Sequence, residues 1–338
     1  MSLTDTLRTP RGTAAMFVAL AAFWGTSFVA IETGLHAFPP LLFAGIRYAV
    51  AGGIVLLYAV LTTDRWIPRT RAEWLSVGVS GVFVIALYHA LLYLGELNVS
   101  GAVAAVVVST APVLTAVFAS VLLPDESVGP VELVGFALGI LGVAVIAAPS
   151  SGGFGVASLI PVLLIFGGAV AFALGGVLTR PLRTTLPLRS MQAWTMLLGA
   201  GVLFAGAALR GESVAAIHWT PNAIASLAYL TIVSGVVAFF IYFELLDRTG
   251  PSTVHLISYL EPVVATVMSV ALLGDMIGAR ALVGFLAVFA GFAVVERHRF
   301  DDQLAVARAR ARLAYVRLMR REHTVQKRGR HDYSETSD

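Results

Sequence analysis

The chain has 338 residues, of which 58% are hydrophobic and only 13% charged. A soluble domain carries about 25% charged residues, so this composition excludes a water-soluble fold and places the chain in a bilayer. It has no cysteine, which excludes disulfides and thiolate metal sites, and its net charge of +3 matters less than where the charges stand.

Apolar windows of the length that spans a bilayer, roughly 20 residues, occur ten times, near 13–34, 40–61, 74–95, 99–123, 131–148, 157–179, 190–209, 222–246, 252–273 and 279–296. The first is too long for a signal-peptide core and reads as a retained helix. Trp24 and Ser27 share one of its faces, either as a wall for a ligand or as packing. Glu32 lies near its outer end. Arg47 sits inside the second window, where a structural ion pair with Glu32 competes with the sharper reading, a docking point for a substrate carboxylate. In the third, His89, Tyr93 and Glu96 follow one face; His89 is either a proton relay or a satisfied core histidine.

The fourth and ninth windows each carry a central proline, Pro112 and Pro262. Each removes a backbone donor and crowds the carbonyl four residues back, at Val108 and Ser258. Such freed carbonyls are tolerated where they face protein or a water-filled cavity, so the paired prolines point to a transport site or to two packing kinks. Around Pro262 a polar stripe runs Ser252, His255, Tyr259, Pro262, Thr266, Ser269, with Val263, Val267 and Val270 on the neighbouring face. The corresponding stripe around Pro112 is small: Ala102, Ala105, Ser109, Pro112, Ala116, Ala119. Glu261 is an acid at mid-span, a functional candidate by default, although it lies about 100° from Pro262 around the helix and can face a neighbour instead. In the fifth window Gly135-x-x-x-Gly139 reads as close helix packing.

The prolines belong to a repeat. Pro112, Val113, Val117, Leu122, Leu123 and Asp125 recur 150 positions later as Pro262, Val263, Val267, Leu272, Leu273 and Asp275. After a slip of one residue, Leu133-Val134-Gly135-Phe136 returns as Leu282-Val283-Gly284-Phe285, and Gly142 as Gly291. Five windows per copy is an odd number, so the second copy inserts upside down relative to the first. The cations agree with this. Nine arginines outside the tail fall in the termini and connections of one side (Arg8, Arg11, Arg65, Arg69, Arg71, Arg180, Arg183, Arg189, Arg248), against Arg210 and Arg280 on the other. By the positive-inside rule both termini are cytoplasmic. The expected fold is an all-α integral membrane protein, ten transmembrane helices arranged as two inverted five-helix repeats around a central cavity. Its divisions are a cytoplasmic N-terminus (1–12), a first repeat (13–148), a linker (149–156), a second repeat (157–297) and a basic cytoplasmic tail (298–338).

In the tail, Leu304, Ala307, Ala311, Ala314 and Leu318 recur at helical spacing among six arginines, from Arg308 to Arg321. This reads either as an amphipathic helix lying on anionic lipid or as a solvated tail. Nucleic-acid binding is not expected, since the charge serves topology.

Phe23-Trp24-Gly25-Thr26-Ser27-Phe28, Ala44-Gly45-Ile46-Arg47-Tyr48 and Tyr259-Leu260-Glu261-Pro262 resemble, in order and spacing, motifs of the EamA group of the drug/metabolite transporter superfamily. The resemblance covers about residues 13–297. Where that family usually has Gly-Glu, this chain has Pro124-Asp125 and Gly274-Asp275, so the acid is kept but shortened. The resemblance implies ten helices around a cavity and transport of small metabolites, often export of amino acids or related compounds.

The expected function is a secondary transporter of small organic metabolites at the cell membrane, neutral or zwitterionic because Arg47 is the one cation within a span. The expected direction is export, by alternating access. A multidrug-type exporter and a non-transporting sensor or scaffold are the alternatives. An enzyme is not expected: no His-Glu-x-x-His, nucleotide loop or serine-nucleophile constellation is present, and no cofactor is implied. The cavity candidates are Trp24, Ser27, His89, Tyr93, Ser109, Pro112, Ser252, His255, Tyr259 and Pro262. Glu261, Arg47 and Glu32 are candidates for coupling or structural charge, with protons as the coupling ion.

Overall fold

The computed structural model describes residues 9–124, 129–147, 156–182, 184–249, 257–274 and 278–295. The N-terminal residues, the whole tail with its expected amphipathic helix, and Ser252 and His255 lie outside them.

Among the described residues there are ten long helical segments: α1 (Pro10–Leu35), α2 (Pro40–Thr62), α3 (Arg71–Glu96), α4 (Gly101–Leu122), α5 (Pro130–Ala147), α6 (Val156–Thr179), α7 (Leu188–Leu209), α8 (Pro221–Thr249), α9 (Ile257–Leu273) and α10 (Ala279–Val295). Seven of these, α1 to α4 and α6 to α8, hold stretches long and apolar enough to cross a membrane. In α5, α9 and α10 the apolar stretches are shorter, Leu133–Ile146, Leu260–Leu273 and Leu282–Gly291. Ten full-length spans were expected; these three have ends that abut segments outside the described residues. The chain is an all-α integral membrane protein.

Local chemistry sets the helix starts. Thr9 caps α1 by accepting from the Gly12 amide, and Pro10 follows at the first turn, where no amide donor is needed. Thr70 caps α3 in a reciprocal box with Glu73, and Thr220 caps α8 ahead of Pro221. The Glu73 carboxylate is buried, at 1% exposure. It accepts from the amides of Arg69 (2.7 Å) and Thr70 (3.1 Å) and from Arg65 (2.7 Å). Arg65 also donates to Thr185, tying the 63–70 connection to the one between α6 and α7.

α3 and α8 share an irregularity. Each widens into a π-helix in mid-course, over Ser80–Leu87 and Tyr229–Val237. π-Turns collect at functional sites. α4 is interrupted at Ser109–Thr110, just before Pro112. There the Ser109 hydroxyl donates to the Val106 carbonyl (2.6 Å) and the Thr110 hydroxyl to that of Val107 (2.7 Å), so side chains satisfy acceptors at the break.

The most extensive helix pairs are α2 with α7 and α5 with α10. α1 packs along α9, and α4 along α6; α3 packs on α6 and α7, and α8 on α1 and α2. Glycine permits the closest approaches. A Cβ at Gly142 of α5 would stand 2.6 Å from the Gly284 carbonyl oxygen of α10, and one at Gly291 would strike the Gly135 carbonyl. The Gly135-x-x-x-Gly139 motif is thus a packing face. The core centres on Phe43, Leu92, Tyr93, Ile165, Met196, Leu203 and Leu230, all buried, while Leu57, Leu61, Val121, Leu163 and Val267 point outward, as a lipid-facing surface requires.

Candidate functional site

A cavity of about 540 Å³ lies between α1–α4 and α6–α9; among the described residues none of α5 or α10 lines it. At one end it reaches the exposed Arg180 and Leu188, where α6 gives way to α7. At the other end it stops at Ile31, Arg47, Leu92 and Ala105, all at least nine-tenths buried. Beyond this floor Glu32 accepts from the Gly101 amide (2.7 Å), joining the end of α1 to the start of α4. Among the described residues the cavity therefore reaches the surface at one end of the bundle and is closed at the other.

The proline helices supply part of the wall. Ser109, Pro112, Thr115 and Ala116 face the cavity from α4, and Glu261 and Pro262 from α9. The ends of the small α4 stripe, Ala102 and Ala119, are buried in packing instead. On α9, Val263, Val267 and Val270 point away, at 44%, 57% and 41% exposure. Of Tyr259 only its place on the α9 backbone is described. Glu261 is set against α1 by Gly25, where a Cβ would stand 2.8 Å from the Glu261 carbonyl oxygen. The Trp24-Gly25 pair thus places an aromatic ring in the cavity and lets two helices touch beside it.

Each π segment anchors a ring of the wall. The Trp24 indole donates to the Ser234 carbonyl (3.3 Å), and the Ser27 hydroxyl meets that of Ser234 at 2.7 Å. In α3, His89 Nδ1 lies 2.9 Å from the Ile85 carbonyl. A carbonyl only accepts, so Nδ1 carries a hydrogen. Nε2 of the neutral ring then accepts from the Tyr48 hydroxyl, 2.6 Å away.

Arg47 differs from expectation. It makes no ion pair with Glu32; its Nη1 donates to the Tyr93 hydroxyl (2.8 Å) and its Nη2 to that of Tyr48 (3.1 Å), with the guanidinium 4.5 Å from the centre of the Tyr48 ring. Glu32 is instead used at the start of α4, because the turn between α1 and α2 carries Arg47 towards α3. Tyr93, expected on the wall, is fully buried behind Arg47 and does not line the cavity. Glu32 does not line it either. Trp24, Ser27, His89, Ser109, Pro112, Arg47, Glu261 and Pro262 are brought together around it.

Several wall residues carry no clear mark in the sequence: Tyr88, Phe172, Gln192, Phe239 and Tyr242. The aromatic run Phe239-Phe240-Ile241-Tyr242-Phe243 is a visible signal, but a run of rings in a membrane helix reads equally well as a lipid face. Trp24 packs edge-on to Phe239 (5.5 Å between centroids) and beside Tyr242 (5.6 Å). Among the described residues no cluster of metal-ligating side chains is present.

The family model of the EamA-like transporters matches this chain twice, over residues 12–148 and 159–297. The chain belongs to the EamA-like transporter family. Similar proteins include an uncharacterized inner membrane transporter, YedA, of Escherichia coli, 30% identical over 76% of this chain and 81% of its own length. YvbV, an uncharacterized transporter of Bacillus subtilis, is 30% identical over 84% of this chain and 91% of its own. A probable amino-acid metabolite efflux pump of Salmonella typhimurium is 26% identical over 81% and 92%. A solved crystal structure shares the fold at a TM-score of 0.59 and 20% identity, covering 85% of this chain and 96% of its own. EamA-like proteins are transporters, and this chain is a multi-pass membrane transporter of that family, not an enzyme.

Proposed function

We propose that this EamA-like transporter moves small neutral or zwitterionic metabolites, amino acids or related compounds, out of the cell by alternating access. The observation that carries this reading is the cavity itself, open at the Arg180 end, closed beyond Arg47, and walled by helices of both halves. A cavity with one open end is what one state of a rocking carrier requires.

In this reading all ten helices cross the membrane, as two inverted repeats, 13–148 and 157–297, joined by 149–156. The packing supports it. When each helix is exchanged for the one five places away, α2–α7 and α5–α10 map onto themselves, α1–α9 becomes α6–α4, and α3–α6 becomes α8–α1. The twin π segments, Ser80–Leu87 and Tyr229–Val237, fall at matching places, and the family model matches each half separately. Both termini are cytoplasmic in this reading, the open end faces the cytoplasm, and the basic tail lies on anionic lipid. Protons are the coupling ion, through Glu261, with His255 as a second candidate. The name of the Salmonella relative supports amino-acid-like cargo. The ring-lined wall also suits apolar drugs, so the assay must include them.

Counterflow in proteoliposomes tests the function, with a panel of amino acids, their derivatives and hydrophobic drugs. Exchange of at least one amino-acid-like compound is expected; exchange of drugs alone makes the protein a multidrug-type exporter, and exchange of none removes the transport reading. A reporter fused after Asp338 should show the C-terminus in the cytoplasm; an external reporter overturns the orientation.

A further inference from the structure

We infer that Arg47 is the docking point for a substrate carboxylate at the closed end of the cavity, so that cargo enters with its acid group first and its apolar body against the rings. The inference rests on the transport reading for its physiological meaning, but not for its chemistry.

A buried cation needs a counter-charge or a full set of acceptors. Arg47 is 5% exposed and lies on the cavity wall. Its guanidinium has five N–H donors, and among the described residues the hydrogen bonds it makes are the two to Tyr93 and Tyr48. Among the described residues no carboxylate reaches it within ion-pair distance. Glu96, buried two turns beyond His89 on α3, makes no hydrogen bond at either oxygen and stands off the wall.

The two tyrosines do not neutralise Arg47; they aim it. Tyr93 holds Nη1 from behind and is itself immobilised in the core, stacked edge-on to Phe43. Tyr48 holds Nη2 and is committed to His89, which is committed to the Ile85 carbonyl. This relay fixes the plane of a fork that matches a carboxylate in two parallel bonds. Above it stand Trp24, Tyr88, Phe172, Phe239 and Tyr242, a surface for an aromatic or branched apolar body. One unpaired cation at the floor accommodates one carboxylate, and a doubly charged phosphate would leave charge unmatched.

The test compares two probes of one shape, 3-phenylpropionate and its neutral amide, titrated calorimetrically against the full chain in lipid nanodiscs. The carboxylate should bind at least about tenfold more tightly than the amide. Arg47→Lys, which keeps the charge and loses the fork, should weaken the carboxylate at least about fivefold and leave the amide unchanged. Tyr93→Phe keeps the cation and loosens its aim; it should weaken the carboxylate by a smaller factor, and it guards against misfolding of the Arg47 variant. A purely structural Arg47 would weaken both probes together or neither, and that result overturns the inference. So does equal affinity of the two probes, or failure of the carboxylate to bind up to about 10 mM. Arg47-dependent carboxylate binding without counterflow of any solute would leave this subsite standing and remove the transport reading. Counterflow with equal probe affinities would do the reverse.

Discussion

Gly142 of α5 and Gly284 of α10 each occupy the space that the other's side chain would need: a Cβ at Gly142 comes within 2.6 Å of the Gly284 oxygen, and one at Gly284 within 2.7 Å of the Gly142 oxygen. The contact of Gly291 with Gly135 is the same contact with the repeat partners exchanged. Among the described residues these helices supply none of the cavity wall, so their packing bears on stability and not on cargo. Gly142→Val and Gly284→Val should each destabilise the protein by about 1–3 kcal/mol through overpacking. Thermal unfolding in detergent would check it, and an unchanged Tm would mean that α5 and α10 do not meet at these glycines.

The cysteine-free background allows the wall to be mapped one thiol at a time. Ser109→Cys and Thr115→Cys should react with a water-soluble maleimide, since both positions line the cavity. Val263→Cys and Val267→Cys, exposed on the outward face of α9, should stay unlabelled in a bilayer, where a maleimide needs water and thiolate. The opposite pattern would mean that α9 has been read with its faces reversed.

Glu261 presents a titratable carboxyl to the cavity at the level of Pro262. Glu261→Gln keeps its shape and removes its proton chemistry. Accumulation driven by a pH gradient should fall to background in this variant, while solute exchange at equal pH persists. Unchanged pH dependence in the variant would make the acid structural.

Glu73 joins the start of α3 to the connection before it, through two backbone amides and Arg65. Glu73→Ala should cost about 1–3 kcal/mol, because it leaves buried donors without an acceptor. Glu73→Gln retains one acceptor oxygen and should lose less. Equal losses in the two variants would show that the charge, not the cap, carries the effect.

Hydropathy is enough to set out the helices, because a bilayer tolerates backbone only where its hydrogen bonds close locally, and about twenty apolar residues then declare a helix. The same constraint makes Trp24, Ser109, Pro112 and Glu261 legible as candidates, since a polar or helix-breaking residue at depth needs a reason. Direction around each helix and the choice of partner are decided only by tertiary packing. Arg47 pairs with Tyr48 and Tyr93 and not with Glu32, and Tyr93 stands behind the wall rather than on it. The π segments of α3 and α8 leave no mark in hydropathy, yet they carry the carbonyls that hold His89 and Trp24. Periodicity assumes a regular helix of about 3.6 residues per turn. Where the helix widens, or where two helices compete for one side chain, only the packed bundle fixes which atoms meet.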